Sequence, residues 1–544
     1  MTKTGNQKLI EQLMADGCYY MFGNPGTVEQ GFLDAMGQYK DFHYITCLQE
    51  SIAVAMADGY ARKTGSPAVV QLHTGVGLGN GIGMIYQAMR GHAPLVILAG
   101  EAGVKYDAMD AQMACDLVAM AEPVTKWCGR VLHRDSVLRM VRRAVKLAMT
   151  PPAGPVFLSL PLDVLDEINK EPVYSSCRIN TRTIPAKMED MEKAAELLMN
   201  ANRPLFLVGD GVSFSNGSNA LYQAAEHLGA GVYGADSSLV NFDRSSCMYL
   251  GDLGHMFGED SREKIKNADV VLIMGTYVFP EVFPCLESPF REDVKCIHID
   301  LNTYEIGKNF GVDIGIGADP AATMEYLVSV IQEKQTERQK NNAKARIKEM
   351  QANKDKADKE WKEEGLFDLF CKCLKEKADD NVILFDEALT SSPILNHYFQ
   401  QRIPGTFFQT RGGSLGVGIP GAMGIKLAEP DKMVIGFTGD GGSLYTIQAL
   451  QTAARYNIGA KFVILNNGDY RLLKNNLDQY RKEEHIIPHE YPDCFDLNPG
   501  VDFVKMAESM HVQARRLDCA DETEALVDWF ITGEGPALLE IKII

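Results

Sequence analysis

The sequence predicts an α/β protein built of parallel sheets, and three observations predict it. Short apolar runs end in glycine or polar turns and are followed by helical stretches, the strand–helix–strand rhythm of a parallel sheet. The length of 544 residues makes about three or four domains at roughly 100–200 residues each. Hydrophobic residues are 46% and charged residues 23%, an ordinary globular composition whose core needs no disulfide or metal staple.

The elements follow in order. In residues 1–180, Ile10, Leu13 and Met14 stand at helical spacing in an N-terminal stretch with no signal-peptide h-region. Phe42–Gln49 reads as a strand, Glu50–Arg62 as a helix, and Ala68–Leu72 and Leu95–Leu98 as short apolar strands. The uncharged run from Ser66 to Met89 is long enough to cross a bilayer. Its five glycines, His73 and Asn80 exclude that; such a stretch lines a site or a tight interface. In residues 185–335, Pro204–Val208, Val270–Met274 and Cys296–Asp300 read as strands. Residues 336–364 interleave acids and bases and read as a solvated helical linker. In residues 365–544, a helix (Leu366–Lys375) precedes the strand Val382–Phe385. The strands Met433–Phe437 and Lys461–Leu465 then flank a helix around Ile447–Arg455.

Lys+Arg total 54 against Asp+Glu 72, a net charge of −18. Such a field repels phosphate and excludes general affinity for nucleic acid or anionic membrane. It leaves room for a local phosphate site of backbone N–H groups and a metal. The twelve cysteines form no C-x-x-C pair, so reduced thiols and a cytoplasmic location are expected.

Lys432–Lys474 is the most informative stretch. The strand KMVIGFT ends in Gly439-Asp440-Gly441-Gly442, and KFVIL ends in Asn466-Asn467-Gly468. Asp440 and Asn467 therefore sit at the carboxyl ends of strands, where open α/β sheets place ligands. One Asp, one Asn, backbone carbonyls and phosphate oxygens suit a hard cation such as Mg²⁺. The glycines let backbone N–H groups approach a phosphate. Gly209-Asp210-Gly211 also follows an apolar strand, but no Asn pair ends the next one; that copy reads as a structural turn. The glycines at 75–83 fit G-x-G-x-x-G in no register, which excludes a dinucleotide fingerprint.

GDGG joined to NNG, together with FGNPGT at 22–27, LQE at 48–50, QLHTG at 71–75 and GGSLGVGIP at 412–420, resembles the benzoylformate decarboxylase branch of the thiamine diphosphate enzymes. The resemblance spans nearly the whole chain. It implies three doubly wound parallel-sheet domains: pyrimidine-binding (1–180), central (185–335) and diphosphate-binding (365–544). It implies thiamine diphosphate and Mg as cofactors. Glu50 would contact the pyrimidine and promote its imino form, and Leu415 would hold the cofactor bent. Asp440, Asn467 and the backbone oxygen of Asp469 would hold the metal. Gly413, Gly439, Gly441 and Gly442 would line the cofactor, and Thr390 and Ser391 could donate to its diphosphate. Asn24, Pro25, Gly26 and Thr27 match a loop that reaches the site from the neighbouring subunit, and His73 coincides with a proton-relay histidine. His92 reads as structural.

The implied activity is decarboxylation of a 2-oxo acid to an aldehyde by a lyase. The alternative is an acetolactate synthase-like carboligase, a transferase. A flavin oxidase lacks a flavin signature, and intact Glu50, Asp440 and Asn467 argue against a degenerate paralogue. The resemblance implies a homodimer or homotetramer. It weakens at Gly275–Pro289, which has no histidine where the branch carries one; Glu281 or Val282 falls nearest. Asn475 and Asn476, followed by a polar loop at 477–498 with His485 and His489, predict a polar pocket and a 2-oxo acid with a hydrogen-bonding side chain.

Overall fold

The computed structural model describes residues 2–176, 186–378 and 381–543. Two compact units form. One comprises Met1–Ile179, Glu364–Leu395 and Gln409–Ile544; the other comprises Asn180–Glu363 and Asn396–Phe408. Three six-stranded sheets run through the chain.

The first sheet holds β1 (Tyr20–Gly23), β2 (His43–Thr46), β3 (Ala68–His73), β4 (Leu95–Glu101), β5 (Cys128–Arg130) and β6 (Val156–Pro161), in the order β2-β1-β3-β4-β6-β5. Its helices include α1 (Glu50–Thr64) and α2 (Thr74–Arg90). The glycine-rich run after His73 is therefore helical. The second sheet holds β7 (Pro204–Val208), β8 (Gly231–Gly234), β9 (Tyr249–Asp252), β10 (Val270–Met274), β11 (Lys295–Asp300) and β12 (Ile314–Gly317), in the order β12-β11-β10-β7-β8-β9. With it come α3 (Ser218–Leu228) and α4 (Glu337–Glu360). The third holds β13 (Ile383–Glu387), β14 (Phe407–Gln409), β15 (Val434–Gly439), β16 (Lys461–Asn466), β17 (Gln513–Leu517) and β18 (Ala537–Lys542), in the order β14-β13-β15-β16-β18-β17. It carries α5 (Gly418–Ala428) and α6 (Arg471–Glu483).

Helices cover both faces of these parallel sheets, so central strands such as VVLIM of β10 are apolar at every position and buried throughout. Each sheet reverses its strand order at its middle, between β1 and β3, between β7 and β10, and between β13 and β15, and the first and third turn back again at the edge, where β6 lies inside β5 and β18 inside β17. At such a switch point the connections diverge and leave a crevice at the carboxyl ends of the strands.

Inside the first unit α1 and α5 touch backbone to backbone. A Cβ on Gly59 would lie 2.2 Å from the Gly421 carbonyl, and one on Gly424 would lie 1.9 Å from that of Met56. A side chain at either position would push apart the helices that join the first and third sheets.

The charged stretch at 336–364 is not a free linker. Most of α4 is exposed, but Ala343 is buried and Ile347 and Met350 pack on the core of the second sheet. Arg346 donates to the carbonyls of Leu228 (2.5 Å) and Gly229 (3.2 Å), which end α3. The guanidinium satisfies carbonyls that have no partner within their own helix. Residues 396–408 also group with this unit rather than with the rest of 365–544. No helix among the described residues is long and apolar enough to cross a membrane.

Candidate active site

Two clusters of the sequence-selected residues form, each at a switch point. At the first, β1 ends in Gly23 and runs into Asn24, while β3 ends in His73. Glu50 is the first residue of α1 and is only 7% exposed. Asn24 Nδ2 donates to its Oε1 (3.4 Å) and Asn80 Nδ2 to its Oε2 (3.0 Å). Asn80 lies on α2, and its carbonyl accepts from Ser51 Oγ at 2.7 Å, tying α2 to the start of α1. The position also suits the helix dipole, which favours an acid at the first turn.

His73 Nδ1 lies 3.1 Å from Glu29 Oε2. Glu29 follows the NPGT loop in a short 3-10 turn and is 6% exposed. Burial pushes its carboxyl above the usual range, and His73 pulls it back. Two glycines make room for this pair. A Cβ on Gly26 would lie 2.0 Å from His73 Nδ1, and one on Gly100 would lie 2.3 Å from Glu29 Oε1. Gly26 is thus needed to let the imidazole lie against the loop. Pro25 and Thr27 are exposed on the same loop. His92 Nδ1 sits 3.3 Å from the Ala153 carbonyl, a structural contact.

At the third sheet's switch point, Asp440 follows β15 and is 5% exposed. Its Oδ1 accepts from Gly441 N (2.8 Å), and its Oδ2 from Asn467 N (3.1 Å) and Gly468 N (2.6 Å). Burial raises its carboxyl above the usual range, and these N–H groups oppose the shift. Asn467 Oδ1 accepts from Asp469 N at 3.0 Å. The Asp469 carboxyl turns away to Lys474 (3.0 Å) and Arg471 (3.2 Å), which leaves its backbone oxygen as the ligand candidate. The strip 493–497 backs this loop: Tyr470 N donates to Phe495 O (2.8 Å) and Leu497 N to Gly468 O (2.9 Å). Asn466 Nδ2 donates to the fully buried Glu540 at 2.6 Å.

Gly413, Gly439 and Gly468 each have open space where a Cβ would stand, so backbone borders a clear volume. Gly441 lies under the Tyr470 ring, which a Cβ would approach to 2.5 Å, and Gly442 lies against Thr438. Leu415 is half-buried in the turn before α5. Thr390 and Ser391 form a 3-10 turn after β13, with Ser391 buried. The next hydroxyl, Ser392 Oγ, is taken by Asp386 at 2.9 Å. One carboxylate, one amide and a backbone carbonyl are the hard oxygen donors that Mg²⁺ takes, with phosphate oxygens or waters left to complete its six. Asp440, Asn467 and the Asp469 carbonyl are the residues that would hold such an ion.

Residues 390–541 match the C-terminal TPP binding domain of thiamine pyrophosphate enzymes, residues 3–120 the N-terminal TPP binding domain, and residues 191–327 the central domain. The chain belongs to the thiamine pyrophosphate enzymes. Among members of this family, it is 29% identical to the benzoylformate decarboxylase of Pseudomonas aeruginosa, over 99% of this chain and 98% of that protein. It is 26% identical to the acetolactate synthase large subunit of Haemophilus influenzae, over 96% of this chain and 91% of that protein. The solved structure of a Rhodococcus jostii thiamine diphosphate-dependent 4-hydroxybenzoylformate decarboxylase superposes with a TM-score of 0.84 at 25% identity, covering 99% of each chain.

Two expectations change for this family member. The polar loop after Leu477 is helical as far as Glu483. Asn475 is exposed and Asn476 half-buried on α6. His485 and His489 are exposed beyond the helix. In the second unit, Glu281 turns inward onto Ser261 Oγ with its Oε2 buried and unpaired, and Val282 is 55% exposed. The sequence did not single out Glu29, Asn80 or Glu387. Only the first had a signal, an acid two residues beyond the NPGT loop.

Proposed function

We propose that the protein is a lyase that decarboxylates a 2-oxo acid to an aldehyde, using thiamine diphosphate with Mg²⁺. The observation that carries this reading is the His73–Glu29 pair beside Glu50. Release of an aldehyde needs a proton delivered to the carbon that has lost CO₂. A carboligase must instead keep that carbon unprotonated until an acceptor arrives. An imidazole fixed by a buried carboxyl is a proton donor with a set tautomer and orientation.

The bound cofactor would supply the electron sink for the pair left as CO₂ departs. Glu50, held by Asn24 and Asn80, would share a proton with the pyrimidine ring nitrogen. His73, with Nδ1 on Glu29, would carry the product proton on Nε2, and Thr27 would contact the substrate. Asn24, Pro25 and Gly26 would border the cofactor with Thr390, Ser391, Gly413, Leu415, Gly439, Gly441 and Gly442. Asp440, Asn467 and Asp469 would hold the metal.

The working form is a homodimer or larger. Exposed apolar residues near the clusters, Val76 at 68% and Tyr445 at 56%, support an interface between copies. The free cysteines of the described residues support a cytoplasmic setting. A panel of 2-oxo acids with thiamine diphosphate and Mg²⁺, scored for CO₂, aldehyde and ligated product, tests the activity. Aldehyde without an acceptor is expected. CO₂ released only when an acceptor is present, with a C–C bonded product, overturns the lyase reading.

A further inference from the structure

The third sheet's switch point holds a second carboxyl group that the mechanism above leaves idle. Glu387 ends β13 and is 1% exposed. Its Oε1 accepts from Gly416 N (2.5 Å) and Val417 N (3.2 Å), and its Oε2 from Gly418 N (2.7 Å). Three consecutive N–H groups thus converge on one carboxyl, at the point where α5 begins. Gly416 is in the left-handed region (φ 87°), and its carbonyl accepts from Thr446 Oγ1 at 2.6 Å. The turn is gripped from both sides. From the opposite direction, a Cβ on Gly442 would lie 3.7 Å from Glu387 Oε1. One buried side chain therefore lies beneath both the Leu415 turn and the GDGG loop.

A helix N-terminus needs only a hydroxyl or an exposed acid to satisfy its N–H groups. Burying a carboxyl costs far more than that and is sustained only by full hydrogen bonding. What the carboxyl adds is a rigid, bidentate grip on the residues that directly follow Leu415. Leu415 itself is half-buried and follows Gly413, whose Cβ position faces open space. The turn that carries it sets where it leaves the backbone.

We propose that Glu387 is a positioning residue of the active site: it locks the 412–418 turn and so sets how far Leu415 projects against the bound cofactor. The inference rests on the thiamine diphosphate reading and on the role given to Leu415.

Amide hydrogen exchange on the cofactor-free protein tests the grip directly. Glu387→Gln should keep the exchange of β15 and β16 unchanged. Measured above pH 7, where the carboxyl is ionised, protection of the 416–418 amides should fall by about ten-fold or more, because hydrogen bonds to a charged acceptor are the strong ones. Glu387→Met, of similar length and without a buried amide, should loosen the same amides if Glu387→Gln fails to fold. With saturating cofactor, Glu387→Gln should slow exchange of the thiazolium C2 proton. In a Leu415→Ala background it should slow it no further, because both changes act through one side chain. Unchanged protection at 416–418, or additive losses in the double variant, overturns the proposal. Calorimetry of the wild type with thiamine diphosphate and Mg²⁺ separates the two failures. No binding there removes the cofactor reading, and with it the role of Leu415, whatever the exchange shows.

Discussion

The same tripeptide, Gly-Asp-Gly, ends a strand at two switch points, and its surroundings differ. After β7, Asp210 is 4% exposed and collects Ser238 N (2.9 Å), Leu239 N (3.1 Å) and Asn241 Nδ2 (3.0 Å), along with Ser238 Oγ. Gly211 meets Gly275 so closely that a Cβ would lie 2.6 Å from its Cα. The crevice is filled by the protein itself. After β15, Asp440 receives only backbone N–H groups, and Gly439 borders open space. A buried carboxylate that two side chains and two backbone N–H groups saturate staples a loop. One held by backbone beside an open volume keeps lone pairs for a ligand.

Parallel substitutions are the most direct way to break this comparison. Asp440→Ala should lower affinity for thiamine diphosphate and Mg²⁺ beyond about 1000-fold by calorimetry, with the fold intact. Even an outer partner of a metal ligand accounts for about 10–100-fold. Asp210→Ala should instead leave affinity unchanged and destabilise the second unit by about 3–5 kcal/mol in denaturant unfolding, because several buried donors lose their acceptor. Equal effects on binding would erase the distinction.

The first sheet's switch point should respond in rate rather than in affinity. Glu50→Gln should bind cofactor within a few-fold of the wild type. Its thiazolium C2 proton should exchange about 100-fold or more slowly in quenched-flow NMR, the usual scale of a lost acid–base group. Unchanged exchange would leave Glu50 as a helix-dipole acid only. His73→Ala should then cut aldehyde formation by about 100-fold with cofactor affinity preserved. Glu29→Gln should cost less, about ten-fold, since the imidazole remains and only its orientation is relaxed. A Glu29→Gln loss as large as that of His73→Ala would make the carboxyl a direct participant.

How much of this was legible in the sequence follows from where each signal lies. Asp440 and Asn467 stand at the ends of apolar strands with glycines around them, so a local pattern reveals both. Glu50 and His73, at a helix start and a strand end, carry no such local pattern, and only the resemblance to the family picks them out. Glu387 has no such mark. Its partners are 29–31 residues away, and an acid after a strand reads as an ordinary turn. Asn80 sits in a glycine-rich stretch whose helical form is hidden by low helix propensity. Arg346 looks like one charge among many, because the carbonyls it caps belong to a helix 117–118 residues earlier. Residues 477–483 read as part of a polar loop because polar composition masks a surface helix.

The smallest expected effect distinguishes the third strand end by its response to pH. Burial pushes the Glu387 carboxyl up from 4.5 to about 7, and the three N–H groups and Thr438 reduce that shift without cancelling it. Asp386 precedes Glu387 on β13 and accepts from Ala388 N at 2.8 Å, and Asp440 follows Thr438 by two residues. Between pH 4.5 and 7 the native protein keeps a proton on Glu387 that the unfolded chain has released. Stability from this group therefore falls as pH rises through that window and levels off above 7. For a folded value near 7 the loss from pH 6 to 7 is about 1 kcal/mol. Asp440 and Glu29 are raised by burial too and contribute slopes of the same sign, so the decisive quantity is the difference between wild type and Glu387→Gln. Thermal unfolding of the cofactor-free protein should show the wild type gaining stability at pH 6 relative to pH 7 by more than the variant does. Identical pH responses would mean that Glu387 is already ionised at pH 6, with its three N–H groups outweighing burial.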